Sequence, residues 1–138
     1  MNDRLRILFG CVLLGLIQTQ PLEARPALTV QVPDKPVQIN DEVFCRFFLE
    51  WPQTEGAYEF SFPEPRFKNL TLIHQGQSQE TVFLPQGPAS RFTVNLVLRA
   101  TQKGEGTIFP FEIRFRKSST EEWSTISVPP HQLKITSS

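Results

Sequence analysis

Two stretches of this chain alternate apolar and polar residues too strictly for a helix. Val43, Cys45, Phe47, Leu49 and Trp51 fall on one side of an extended backbone, and Phe44, Arg46, Phe48 and Glu50 fall on the other. Phe92, Val94, Leu96, Leu98 and Ala100 repeat the pattern later. Side chains alternate across a strand with period two, so each stretch is a strand with one face turned to a core. Shorter alternations surround them: Leu28, Val30 and Val32; Val37 and Ile39; Tyr58, Phe60 and Phe62; Phe111, Ile113 and Phe115; Trp123 to Val128; and Leu133 to Ile135. No segment keeps the i, i+3, i+4, i+7 spacing of an amphipathic helix for three turns.

Turn chemistry separates these runs. Pro33-Asp34-Lys35-Pro36, Asn40-Asp41-Glu42, Gln53 to Gly56, Pro85-Gln86-Gly87-Pro88 and the polar Lys117 to Glu122 read as turns. Phe67, Leu70, Leu72 and Ile73 form a less regular segment, Gly76 to Gln79 reads as a loop, and Thr81 to Leu84 as a separate short strand. Lys103-Gly104-Glu105-Gly106 reads as a tight connection. Pro110 predicts an edge position or a bulge, because proline cannot donate to a sheet ladder. Seven to nine short strands, punctuated every 8–12 residues or so, predict an all-β, immunoglobulin-like antiparallel β-sandwich. Abundant Phe, with Trp51 and Trp123, supplies the bulk for its core.

The first 24 residues read differently. Arg4 and Arg6 precede an uncharged apolar run from Ile7 to Ile17, then a polar stretch with Pro21 and the small residue Ala24. This is the pattern of a secretory signal, with cleavage placed after Ala24 and the domain at 25–138. A spanning helix needs about 20 apolar residues, so the run is too short for an anchor, and no transmembrane anchor is expected after cleavage. A rival reading takes Leu8-Phe9-Gly10-Cys11 as a lipobox with Cys11 lipidated; the apolar run works better undivided. Cleavage removes Asp3 and Glu23 along with Arg4 and Arg6, so the net charge of zero is unchanged. A neutral domain lacks the basic footprint that nucleic acid or anionic lipid attracts. The expected location is periplasmic or secreted.

Chemistry is sparse. With Cys11 removed, Cys45 is alone and sits at an inward position, so it reads as a small buried hydrophobe. His74 and His131 have no Cys, Asp, Glu or His at metal-ligand spacing. A triad would need one of them with Asp34 or Asp41, and no nucleophile elbow accompanies them. Asp41-Glu42 and Glu121-Glu122 read as solvated turn charge. Gly104-Glu105-Gly106 lacks the lysine and following helix of a phosphate loop. Asn69-Leu70-Thr71 fits a glycosylation sequon, a triplet common by chance. The expectation is therefore no enzyme, no cofactor and no metal. Phe44 and Phe48, opposite the core face of their strand, are the candidate interaction surface, unless the strand is covered on both sides.

The order of elements, with "VPDKPVQINDEVFCRFFLE", "FTVNLVLRATQKGEGTIFPFEIRF" and the closing "STISVPPHQLKIT", resembles the N-terminal β-sandwich repeats of the BatD family, the bacterial oxygen-tolerance (aerotolerance) proteins. Gly106-Thr107-Ile108-Phe109-Pro110 and Leu133-Lys134-Ile135 occupy the family's glycine–apolar–proline and closing-strand positions. Family proteins are longer, carry several such units and end in a transmembrane helix; this chain would be a stand-alone version. The resemblance implies a protein-binding role in the cell envelope, with von Willebrand factor A-type membrane proteins and a MoxR-type ATPase as the family's associates. It carries over no site residues. The alternatives are a periplasmic assembly chaperone or adhesin-like subunit, and an inhibitor of an envelope hydrolase presenting Gly76 to Gln79 or Pro85 to Pro88.

Overall fold

The computed structural model describes residues 25–117 and 119–137; the signal segment, Ala24 and Cys11 lie outside the described residues. The described chain is built from strands: β1 (Ala27–Gln31), β2 (Val37–Gln38), β3 (Glu42–Pro52), β4 (Glu59–Ser61), β5 (Phe67–Lys68), β6 (Leu70–Leu84), β7 (Gly87–Ala100), β8 (Gly104–Ile108), β9 (Phe111–Arg116), β10 (Ser124–Val128) and β11 (His131–Thr136). One 3-10 turn, Gln53–Glu55, follows β3.

The two clean alternations lie side by side. β3 and β7 pair antiparallel from Glu42 opposite Arg99 to Pro52 opposite Ala89, flanked by β1 and β6 in the order β1-β3-β7-β6. The other layer comprises β10-β9-β4 and β2-β11-β8-β5. Its strands are broken in one row. Phe109-Pro110 separates β8 from β9, Pro129-Pro130 separates β10 from β11, and 62–66, with Pro63 and Pro65, separates β4 from β5. On one side of the row Phe111 faces Val128; on the other Ile108 faces both His131 and Phe67. Proline removes a ladder donor, so interrupting all three neighbours at one level leaves no ladder partner stranded beside a proline.

Counted through their breaks, the strands are seven. The first sheet takes them in the order first, second, fifth, fourth, and the second in the order third, sixth, seventh. That is the constant-type immunoglobulin arrangement, and the protein is an immunoglobulin-like antiparallel β-sandwich. Pro33 to Pro36 moves the opening strand between layers: β1 pairs with β3, whereas β2 pairs parallel with β11.

The core lies between the layers. Val43, Cys45, Phe47, Leu49 and Trp51 from β3 and Val94, Leu96, Leu98 and Ala100 from β7 meet Ile108, Ile113, Ile126, Val128, Leu133 and Ile135. Aromatic edges join the sheets: Phe47 contacts Phe62 and Phe111 at 5.5 and 5.6 Å between centroids. Trp51 contacts Tyr58 at 5.2 Å and donates its indole N–H to the Gly56 carbonyl at 2.7 Å.

Three sequence expectations are corrected. Gly76 to Gln79 is no loop: it lies within β6, a single strand from Leu70 to Leu84 that pairs with β7 up to Leu84 opposite Gly87, with one irregularity between Leu72 and His74. Leu70 and Leu72 anchor its start to the core; beyond them the backbone ladder with β7 carries the strand, so its side chains there need no apolar alternation. Gly104 to Gly106 is likewise strand, in β8, and the turn is confined to 101–103. Pro110 does not mark an edge; it sits in a break of a strand that has neighbours on both sides. The edges of the first sheet are β1 and β6.

Gly106 is glycine for a packing reason. A Cβ there would lie 2.9 Å from Ile135 Cδ1 and 3.2 Å from Leu70 Cγ, and both residues are buried. Gly106→Ala is therefore expected to destabilise the domain by about 1–3 kcal/mol through overpacking. A urea unfolding midpoint that does not move would show that Leu70 and Ile135 give way freely.

Candidate functional site

The outer face of the first sheet carries the polar half of both alternations. From β3 it presents Glu42, Phe44, Arg46, Phe48 and Glu50; from β7, Arg91, Thr93, Asn95, Val97 and Arg99. The two aromatics are not equivalent. Phe48 is half-buried. The Arg91 guanidinium lies 4.7 Å and that of Arg46 5.6 Å from its ring centroid. Both guanidiniums are held in turn: Arg46 Nε donates to Asn95 Oδ1 at 3.0 Å, and Arg91 pairs with Glu50. Stacking and ion pairing thus give Phe48 a cover. Arg99 and Glu42 close the same face at 3.6 Å.

Phe44 is 66% exposed. It stands opposite Val97, and no guanidinium stacks on it among the described contacts. Beside it the sheet has a gap. β1 pairs with β3 only from Arg46 to Glu50, because the chain turns away at Val32-Pro33 to reach the other layer. Glu42 to Cys45 therefore pair with β7 on one side and, among the described residues, with no strand on the other. The gap forms a notch of about 460 Å³ edged by Val32, Pro33, Phe44, Arg46 and Val97. A notch that joins unpaired main-chain groups to an exposed aromatic can take an extended peptide segment as an added strand. A broader hollow of about 540 Å³ crosses the second sheet at Lys103, Glu105 and Lys134. It includes none of the large apolar side chains exposed among the described residues, which are Phe44, Ile73 and Phe83.

The other candidates do not assemble. Cys45 is buried as its alternation predicts, and desolvation pushes its thiol up to about 11. His74 is on β6 and His131 on β11, in different layers. Among the described residues no group of three or more His, Cys, Asp or Glu side chains could hold a metal ion. Asp41 caps a turn, its Oδ2 accepting the Gln38 N–H at 2.9 Å. Glu121 accepts the Lys117 N–H at 3.0 Å. The sequon residue Asn69 has φ 62° and donates its amide to the Glu105 carbonyl at 2.9 Å, which fixes the crossing from β5 into β6.

The alternation puts Phe44 on the outer face, where it is exposed, but gives no sign of the notch beside it. The hint was available: Pro33 and Pro36 end the opening strand early, whereas its neighbour runs on for eleven residues. The open edge of β6 was also missed. Its signal was the run Gln75 to Thr81, which contains no proline, lysine or arginine.

No protein-family model matches the sequence, and no curated protein matches it. Among solved structures, the cohesin module of a family 33 glycoside hydrolase from Clostridium perfringens ATCC13124 is similar, with a TM-score of 0.41 and 10% sequence identity over 83% of this chain and 99% of that module.

Proposed function

We propose that the chain is a secreted or periplasmic, non-enzymatic module that binds a cell-envelope protein. It takes an extended segment of its partner onto the free edge of β3, with Phe44 as apolar anchor. The observation that carries this reading is the exposed Phe44 standing beside the edge of Glu42 to Cys45 that β1 leaves open. In strand addition, main-chain hydrogen bonds supply affinity and alternate side chains supply specificity. Here an apolar partner residue would rest against Phe44 and Val97.

The location rests on the signal-like pattern of residues 1–24. The partner class rests on the resemblance to the BatD repeats: an aerotolerance or envelope-stress assembly, with a von Willebrand factor A-type membrane protein as the partner. Crosslinking of the tagged protein in its native envelope, read by mass spectrometry, tests both. The expected result is capture of such a membrane protein by the wild type and its loss, by about tenfold or more, with Phe44→Asp. Equal capture by the variant would overturn the notch. Capture of a pilin or a secreted hydrolase instead would replace this partner with a chaperone client or an inhibited enzyme.

A further inference from the structure

We infer that β6 pairs edge to edge with β6 of a second copy, giving a two-fold dimer with one continuous eight-stranded sheet. Among the described residues, the strand pairs from Gln75 to Leu84 only with β7. The second layer does not cover it: Gln77, Gln79 and Thr81 are exposed although they alternate with the opposite face. Natural edges are guarded by proline, lysine, inward charge or shortness. β6 is 15 residues long with no proline, lysine or arginine, and its one irregularity, between Leu72 and His74, lies just before this stretch and bounds the pairing at His74.

The side chains favour a copy of the same strand over an unrelated one. Antiparallel pairing about a two-fold axis perpendicular to the sheet keeps each face with its own kind. With the axis at Gln77, Gln77 meets Gln77 of the copy, and Gln75 meets Gln79. Each carboxamide both donates and accepts, so a glutamine row is complementary to itself. On the other face, where Glu80 lies 4.0 Å from Arg91, Gly76 meets Ser78 and His74 meets Glu80. Small residues oppose each other at the centre, an imidazole opposes a carboxylate at each end, and no like charges face each other. This edge is distinct from the Phe44 notch, so a dimer would carry two notches.

Sedimentation of the protein purified from the full 138-residue chain tests the inference. The expected result is a concentration-dependent dimer. Gln77 is exposed, so Gln77→Lys and Gln77→Glu leave the fold intact, as thermal melting would confirm. Each places like charges opposite each other on the axis and is expected to weaken self-association about tenfold or more. Mixing the two variants restores a heterodimer. A wild-type monomer up to sub-millimolar concentration, or a dimer that neither variant weakens, would overturn the proposal. So would two weakened variants that fail to pair when mixed, because that places the axis elsewhere.

Discussion

Phe47→Ala is expected to remove about 3–5 kcal/mol of folding stability, the cost typical of deleting a fully buried aromatic side chain. Phe47 is 0% exposed and is the point where β3 reaches across to the other layer. Its ring meets Phe62 and Phe111, which flank the row of proline breaks. These residues sit where the second sheet has surrendered backbone ladder, so side-chain packing must hold the layers together there. The loss falls on a domain whose total stability is on the order of 5–15 kcal/mol. Urea unfolding followed by the fluorescence of Trp51 and Trp123 measures it. Phe44→Ala, three residues away on the opposite face, is the control and is expected to stay within about 0.5 kcal/mol of wild type. Equal losses at the two positions would mean that the outer face is covered after all.

That contrast marks what was legible in the sequence. Alternation assigned Val43 to Trp51 and Phe92 to Ala100 to the core face of their strands, because an inward residue must be apolar whatever covers it. The same logic fails for β6 beyond Leu72. An edge strand that overhangs the second layer is held by ladder hydrogen bonds with one neighbour, and Gln, Gly and Ser serve that purpose as well as Val does. Composition alone therefore made it look like a loop. Gly104, at φ 123°, does serve the turn as glycine can, whereas Gly106 misled in the opposite way. Glycine reads as turn, but Gly106 is there because Leu70 and Ile135 occupy the space of a side chain. Pro110 reads as an edge or a bulge under a rule about single strands. The rule does not anticipate three neighbouring strands breaking at one level.

The candidate site divides along a similar line. Alternation places Phe44 and Phe48 on the outer face but cannot say which lies under guanidiniums. That depends on Arg91, 43 positions beyond Phe48 in the chain and brought to it by the β3–β7 register. The notch depends on where β1 leaves β3, a property of chain path.

Stability is expected to fall as the medium becomes alkaline, and Cys45 and Tyr58 are the cause. Burial pushes the Cys45 thiol from 9.0 to about 11. Burial, then the hydrogen bond to Glu55 at 3.0 Å, pushes the Tyr58 hydroxyl from 10.0 to about 12. Both groups are neutral acids in the folded protein. Above its ordinary value each ionises in the unfolded chain first, so the unfolded state binds fewer protons and is favoured as pH rises. The effect is absent below about pH 9. The Cys45 contribution grows between about 9 and 11, and that of Tyr58 between about 10 and 12. Fully developed, the Cys45 contribution reaches about 2–3 kcal/mol, and that of Tyr58, screened by solvent, adds to it in the same direction. Cys45→Ala separates them: its stability should decline less steeply than wild type from pH 9 to 11, even if a small cavity makes it less stable at neutral pH. Thiol labelling gives a second view. Cys45 should resist a neutral thiol reagent in the native protein and react at the rate at which the domain opens. Parallel pH curves, or labelling as fast as in the unfolded chain, would mean that Cys45 is open to solvent. In that case the notch beside Phe44 would reach through the sheet into the core.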